Sequence, residues 1–152
     1  MKKILIPTDF SIKSLKLAEY AFNLYPKEIV NLILVYPYRL PVWEGDLYRF
    51  SSKEIIAELN SEEFSKAKNK LVNRYYININ SILIELFIGV NSYAFKNFRD
   101  EHQIQIAVVP QKGDLDFSHN STFDPLYFIL KNVPKVYQIN LTKEEEDWAK
   151  QY

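Results

Sequence analysis

A short apolar run that stops on a proline and hands over at once to a helical stripe leaves few folds open. Residues Lys3-Ile4-Leu5-Ile6-Pro7-Thr8-Asp9-Phe10-Ser11 form such a junction. The β-prone run ends at Pro-Thr-Asp. From Ser11 onward Leu15, Ala18, Ala21, Phe22 and Tyr25 fall on one face of a helix. A buried strand, a tight turn and an amphipathic helix begin an open parallel α/β sheet. Such sheets bind ligands in the crevice beyond the carboxyl ends of their strands, where Thr8 and Asp9 would lie.

The rest of the chain repeats the alternation. Ile29 to Tyr36 reads as a second buried strand, and Pro37 to Phe50 as an irregular, aromatic-rich loop. Ser51-Ser52-Lys53-Glu54 carries a capping-box pattern. It opens a helix with Ile56, Leu59, Ala67, Leu71 and Tyr75 on one stripe, which the Asn60-Ser61 pair would kink or split. Ile82 to Ile88 is a third strand closed by Gly89, and Asn91 or Ser92 caps the helix that bears Ala94, Phe95 and Phe98. Ile104 to Val109 is a fourth strand. A polar loop, Pro110 to Thr122, precedes Asp124-Pro125, which reads as a helix start with proline in the first position. Leu126 to Leu130 forms a short helix, and Pro134 leads into a fifth strand, Val136 to Leu141. The expected fold is therefore α/β, with an open, mostly parallel five-stranded sheet and helices on both faces. Residues 1–141 form one domain and 142–152 an acidic tail or short helix ending in Trp148 and Tyr152.

Composition narrows the function. The 152 residues carry 19 basic and 19 acidic side chains, a balance that argues against a surface built to neutralise nucleic-acid phosphates. With no cysteine there is no disulfide and no thiol chemistry. The apolar run behind Lys2-Lys3 is cut off by Asp9, too short for a signal peptide. No apolar stretch approaches the ~18 residues of a membrane span. A cytoplasmic protein is expected. Only 3 glycines are present, which matters because loops that cradle phosphates need glycine for close backbone approach.

In order and spacing, these features resemble the universal stress protein family, over about residues 2 to 141. The family opens with a strand and Pro-x-Asp-x-Ser, matched here by Pro7-Thr8-Asp9-Phe10-Ser11, with Ser14 and Ala18 along the helix. Ile33-Leu34-Val35 loosely matches the end of its second strand, Gly89 the glycine after its third, and Val133-Pro134-Lys135-Val136 the entry to its last. The resemblance implies a Rossmann-like fold of the adenine nucleotide alpha hydrolase kind. It also implies a homodimer paired through the last strand, here Val136, Tyr137, Gln138, Ile139, Asn140 and Leu141.

The ATP-binding branch of that family carries Gly, two residues, Gly, nine residues, then Gly and Ser or Thr after the fourth strand. Here the frame holds Pro110, Gly113, Phe123 and Asp124 in those places. Pro110 has no N–H to donate. Asp124 puts a carboxylate where a phosphate would lie, and as a helix cap it would take amides the phosphate needs. Two like charges about 4 Å apart cost on the order of 1–4 kcal/mol in wet surroundings. The phosphate loop is expected to be degenerate.

By resemblance, Pro7, Thr8 and Asp9 would face a nucleoside, Val35 and Val109 would line an adenine pocket, and Gly113 would keep its place. Each has a plainer role as well: Asp9 as a brace of the strand–helix turn, the two valines as core. His102 and His119 are the only histidines, lie in different segments and have no acidic cluster beside them, so no metal site is expected. His119 with Ser118, Ser121 and Thr122 lacks the Gly-x-Ser-x-Gly elbow of a serine nucleophile. Tyr36, Tyr38, Trp43, Tyr48 and Phe50 would form a ligand wall, a partner surface or a satellite cluster. Glu144-Glu145-Glu146-Asp147 reads as a solvated helix start. The expectation is a non-enzymatic stress-response or regulatory protein acting through dimerisation and protein association, without a cofactor, nucleic acid or membrane. Its alternatives are a regulator that binds ATP, AMP or a nucleoside at Pro7-Thr8-Asp9 and, behind that, a phosphohydrolase.

Overall fold

The computed structural model describes residues 1–40 and 51–141. Five strands form one sheet: β1 (Lys2–Pro7), β2 (Val30–Pro37), β3 (Ile79–Phe87), β4 (Ile106–Pro110) and β5 (Lys135–Ile139). All four pairings are parallel, in the order β3-β2-β1-β4-β5. The order reverses between β1 and β4, so a ligand crevice would open at their carboxyl ends. The helices are α1 (Leu15–Leu24), α2 (Ser52–Leu59), α3 (Glu62–Arg74), α4 (Ser92–Glu101) and α5 (Leu126–Asn132).

Alternation along the strands sorts the apolar residues into two layers. Ile4, Ile6, Leu32, Leu34 and Val108 meet Leu17, Ala18, Ala21 and Phe22 of α1 and Phe64 and Leu71 of α3. On the other face Leu5, Ile33, Val35, Ala107 and Val109 meet Phe95 and Phe98 of α4 and Ile129 of α5. Phe87 sits at the centre of an aromatic group, with ring centroids 5.2 Å from Phe95 and 5.9 Å from Phe123. The sheet and its two helical layers are those expected from the sequence.

The boundaries moved where polar side chains do local work. Asn60 is extended and the Ser61 hydroxyl accepts from Phe64 N–H at 3.1 Å, so the long stripe divides into α2 and α3. Ser51 caps α2 by accepting from Glu54 N–H. Strand β3 starts three residues early, at Ile79. Asn80 Nδ2 and Ser81 Oγ both donate to Asn31 Oδ1 of β2, at 2.7 and 2.8 Å, and this cross-strand bonding holds a segment whose polar residues suggest a loop. Asn91 is the cap of α4, its Oδ1 accepting from Ala94 N–H at 2.8 Å. The aromatic loop residues Trp43, Tyr48 and Phe50, and the tail with Glu144, Trp148 and Tyr152, lie outside the described residues.

Gly89 is required by close approach. A methyl at its Cα would stand 2.2 Å from Ala94 Cβ. Gly89→Ala is expected to lose about 1–3 kcal/mol in a urea unfolding curve. Adding Ala94→Gly removes the clash and recovers part of the loss, offset by about 1 kcal/mol of helix propensity. If Gly89→Ala unfolds at the parent's midpoint, the contact is wrong.

Candidate functional site

The crevice between β1 and β4 begins with the turn after Pro7. Thr8 is fully buried and its N–H donates to Val35 O at 2.9 Å. Ser14 Oγ gives its proton to Ser11 O at 2.7 Å. Its contact with Thr8 Oγ1, at 2.8 Å, is therefore donated by Thr8. Thr8 Oγ1 also accepts from Phe10 N–H at 3.0 Å. The hydroxyl of Thr8 is thus engaged inside the turn. Phe10 adopts φ +62°, a left-handed conformation that costs a non-glycine residue roughly 1–2 kcal/mol. Its ring offsets this by packing 5.2 Å from Tyr36 and 5.4 Å from Phe64.

Asp9 has both carboxylate oxygens committed. Oδ1 accepts from Ser11 N–H at 2.9 Å and, at close range, from Ser11 Oγ. Oδ2 accepts from the N–H of Asp116, 107 residues further on, at 2.9 Å. That second bond draws the loop after β4 across the crevice. Leu115 is buried in the core layer of α1 and α3, and Phe117 packs against the same layer. What remains between Pro7, Pro110, Gly113, Leu115, Phe117 and Pro125 is about 10 Å³. That holds roughly one water, where ligand pockets usually measure about 300–1,000 Å³. A shallower, open hollow of about 480 Å³ lies on the outer side of the loop, between Arg39, His119, Thr122 and Phe123.

The loop is fixed from two further sides and by bonds within itself. Asp114 Oδ2 accepts from Gln111 N–H and from Leu141 N–H, both at 3.2 Å. Thr122 Oγ1 donates to Pro37 O at 2.5 Å, and Arg39 N–H donates to Ser121 O at 2.8 Å. The Arg39 guanidinium lies 5.4 Å from the centre of the Phe123 ring, and its Nε donates to Thr122 O at 3.3 Å. Ser118, through its hydroxyl and N–H, donates to Asp116 Oδ1 at 2.5 and 3.0 Å. These bonds, with His119 adding a smaller effect, hold the Asp116 carboxyl below the usual carboxylate range.

The remaining sequence candidates fall around this arrangement. Pro7, Thr8, Asp9, Pro110 and Gly113 come together at the crevice. Gly113 is exposed with φ +89°. Val35 and Val109 are fully buried within the α4–α5 core layer. Phe123 is buried in that layer too, and Asp124 Oδ1 accepts from Leu126 N–H at 2.9 Å at the start of α5. Tyr36 is buried against Phe10, while Tyr38 forms a bridge with Thr122. His102 follows α4 with its ring 4.5 Å from Phe98, and His119 is exposed. Among the described residues no group of three His, Asp or Glu could hold a metal ion. No described helix is long and apolar enough to cross a membrane. The roles of Leu115, Phe117, Asp114 and Arg39 were not anticipated. The alternation Asp114-Leu115-Asp116-Phe117 was the available signal, since it turns two apolar side chains to one side.

A larger hollow, about 830 Å³, lies at the other end of the sheet near Lys2, Lys3, Glu28, Ile29 and Gln103. It is broad and open, and stands at the amino ends of the strands, away from the crevice.

Two outcomes follow. Asp9→Ala is expected to cost about 2 kcal/mol in thermal unfolding and to speed tryptic cleavage after exposed Lys112. Cleavage at the parent rate would contradict the tether. Because the folded pKa of Asp116 is depressed, the carboxylate's contribution to the loop is present above about pH 4 and is lost as pH falls through the folded value. Ser118→Ala should move the Asp116 titration upward in a carboxyl-carbon NMR titration; an unmoved titration would discount the two serine bonds.

No protein-family model matches the sequence, and no curated protein does. Solved structures do. A universal stress protein, UspA, from Lactobacillus plantarum is 17% identical, with 91% of this chain and 97% of that one covered at a TM-score of 0.52. A universal stress protein in complex with cAMP is 15% identical, over 92% and 97% of the two chains, at 0.55. A universal stress protein family member from Burkholderia pseudomallei is 15% identical, over 91% and 95%, at 0.52. The chain has the five-stranded α/β fold of the universal stress proteins.

Proposed function

We propose that the chain is a cytoplasmic stress-response or regulatory protein of the universal stress protein family. It acts without catalysis, through homodimerisation and protein association, and lacks the usual ATP phosphate site. The commitment of both Asp9 oxygens, one of them to the loop lying across the crevice, carries this proposal. Three further features support it. Pro110 cannot donate an N–H, Asp124 occupies an amide at the start of α5, and buried Phe123 stands in place of a glycine. Titration calorimetry with Mg-ATP, then AMP and adenosine, is expected to give no heat of binding. Micromolar ATP binding would overturn the loss of the phosphate site.

A second reading has one observation in its favour: a protein of the same fold forms a complex with cAMP. Under it, Pro7, Thr8, Asp9, Val35, Val109 and Gly113 would make a residual nucleoside pocket. Heat on adding AMP or adenosine but not ATP would favour that pocket.

The dimer would form along β5, an edge of the sheet. An edge strand presents backbone groups that pair readily with another chain. Lys135 N–H donates to Gln105 O at 3.2 Å. Strand alternation then directs Val136 and Gln138 backbone groups away from β4. Val136→Pro therefore removes an outward donor and spares the bonds to β4. It should convert a micromolar dimer to monomer by light scattering with the fold retained by circular dichroism; an unchanged dimer would rule out this edge. Ile139 is unsuited to such a test because its side chain is buried.

A further inference from the structure

We infer that the loop across the crevice is a coupling device, joining the Asp9 turn to the carboxyl end of β5. The loop has one short stretch, 114–116, that bonds in both directions. Asp116 N–H is held by Asp9 Oδ2 at 2.9 Å, and two residues earlier Asp114 Oδ2 holds Leu141 N–H at 3.2 Å. Leu115 lies between them, buried in the same core layer as Leu141, whose side chain is fully buried. Gln138 Nε2 adds a bond to Pro110 O at 3.3 Å, so strand β5 also holds the last residue of β4, from which the loop leaves.

The two anchors are not independent. Leu115 cannot leave the core while Asp9 holds Asp116 and Asp114 holds Leu141, because each anchor lies one residue from its Cα. If one anchor breaks, Leu115 is left on a single tether. Around this stretch Gln111, Lys112, Gly113, Asp116 and residues 118–121 are exposed, and Gly113 at φ +89° supplies a bend that most residues adopt only with strain. A segment with few buried contacts opens locally at low cost. Segment 111–117 is therefore a cooperative unit with two hydrogen-bond anchors, Leu115 and Phe117 packing on the core beside them. A hydrogen-bond donor that takes over the Asp9 carboxylate, from a small molecule or a partner, releases the loop and with it the Leu141 amide. By thermodynamic reciprocity, a partner that rearranges the end of β5 loosens the Asp9 turn. The coupling holds whether or not β5 pairs with a second copy, so loss of the dimer and loss of the coupling are separate results.

Hydrogen exchange of two amides reads the device directly, with Val108 and Ile6 amides in the central strands as reporters of global opening. In Asp9→Ala the Asp116 amide loses its acceptor, and its exchange should quicken at least ~10-fold. The coupling adds that the Leu141 amide, whose own acceptor is untouched, quickens ~3-fold or more relative to the central strands. Asp114→Ala should do the converse, speeding Asp116 although Asp9 is intact. The inference is overturned if each substitution speeds only the amide whose acceptor it removes. Should Asp9→Ala fail to fold, Asp114→Ala and its effect on the Asp116 amide decide the matter alone.

Discussion

One carboxylate sets the character of this crevice. Asp9 sits at the end of β1, at the place where strand order reverses and a ligand would be received in an open α/β sheet. Its oxygens are spent on the chain itself, one on the adjoining turn and one on the amide of Asp116. A charged acceptor binds a backbone N–H more strongly than a neutral one. Beside that bond Leu115 and Phe117 lie on the core, and the gap bounded by Pro7, Pro110 and Leu115 is about 10 Å³. An open hollow of about 480 Å³ remains on the outer side of the loop, between Arg39, His119 and Phe123. The remaining features of the loop are consistent with a segment shaped to lie there.

The surroundings are arranged to hold this geometry. Thr8 and Ser14 lock the turn from inside with buried hydroxyls, and Phe10 accepts a left-handed backbone because its ring is gripped by Tyr36 and Phe64. From the side of β2, Pro37 and Arg39 take hold of Thr122 and Ser121, and the guanidinium lies over Phe123. The turn after β1, the end of β2 and the residue Leu141 beyond β5 each make at least one bond to the loop after β4. Such a loop belongs to the folded unit through its own contacts.

Much of the fold was legible in the sequence because it rests on periodicity. The runs at Ile4–Ile6, Ile33–Val35 and Ala107–Val109 alternate between two core layers, and the stripe Leu15, Ala18, Ala21 and Phe22 covers one of them. Boundaries were less legible wherever single polar side chains decide them, as Asn31 does for the start of β3 and Ser61 for the break before α3. The components of the site could be named from spacing: Asp9 at the turn, Pro110 and Asp124 in the frame of a phosphate loop. Their destination could not. A bond between residues 9 and 116 has no trace in local pattern, and Leu115 and Phe117 sit in a stretch whose polarity suggests solvent. Resemblance to a family pointed to the crevice; the three-dimensional contacts placed the chain's own side chains inside it.

The most direct test is a methyl-resolved NMR measurement of Leu115. Nuclear Overhauser contacts from its methyl groups to the core layer that contains Ile6, Val108, Ile139 and Leu141 are expected, with shifts dispersed by the neighbouring rings. Leu115 methyls that show only sequential contacts, at solvent-averaged shifts, would mean that the loop stands off the crevice and that the Asp9–Asp116 tether does not govern it.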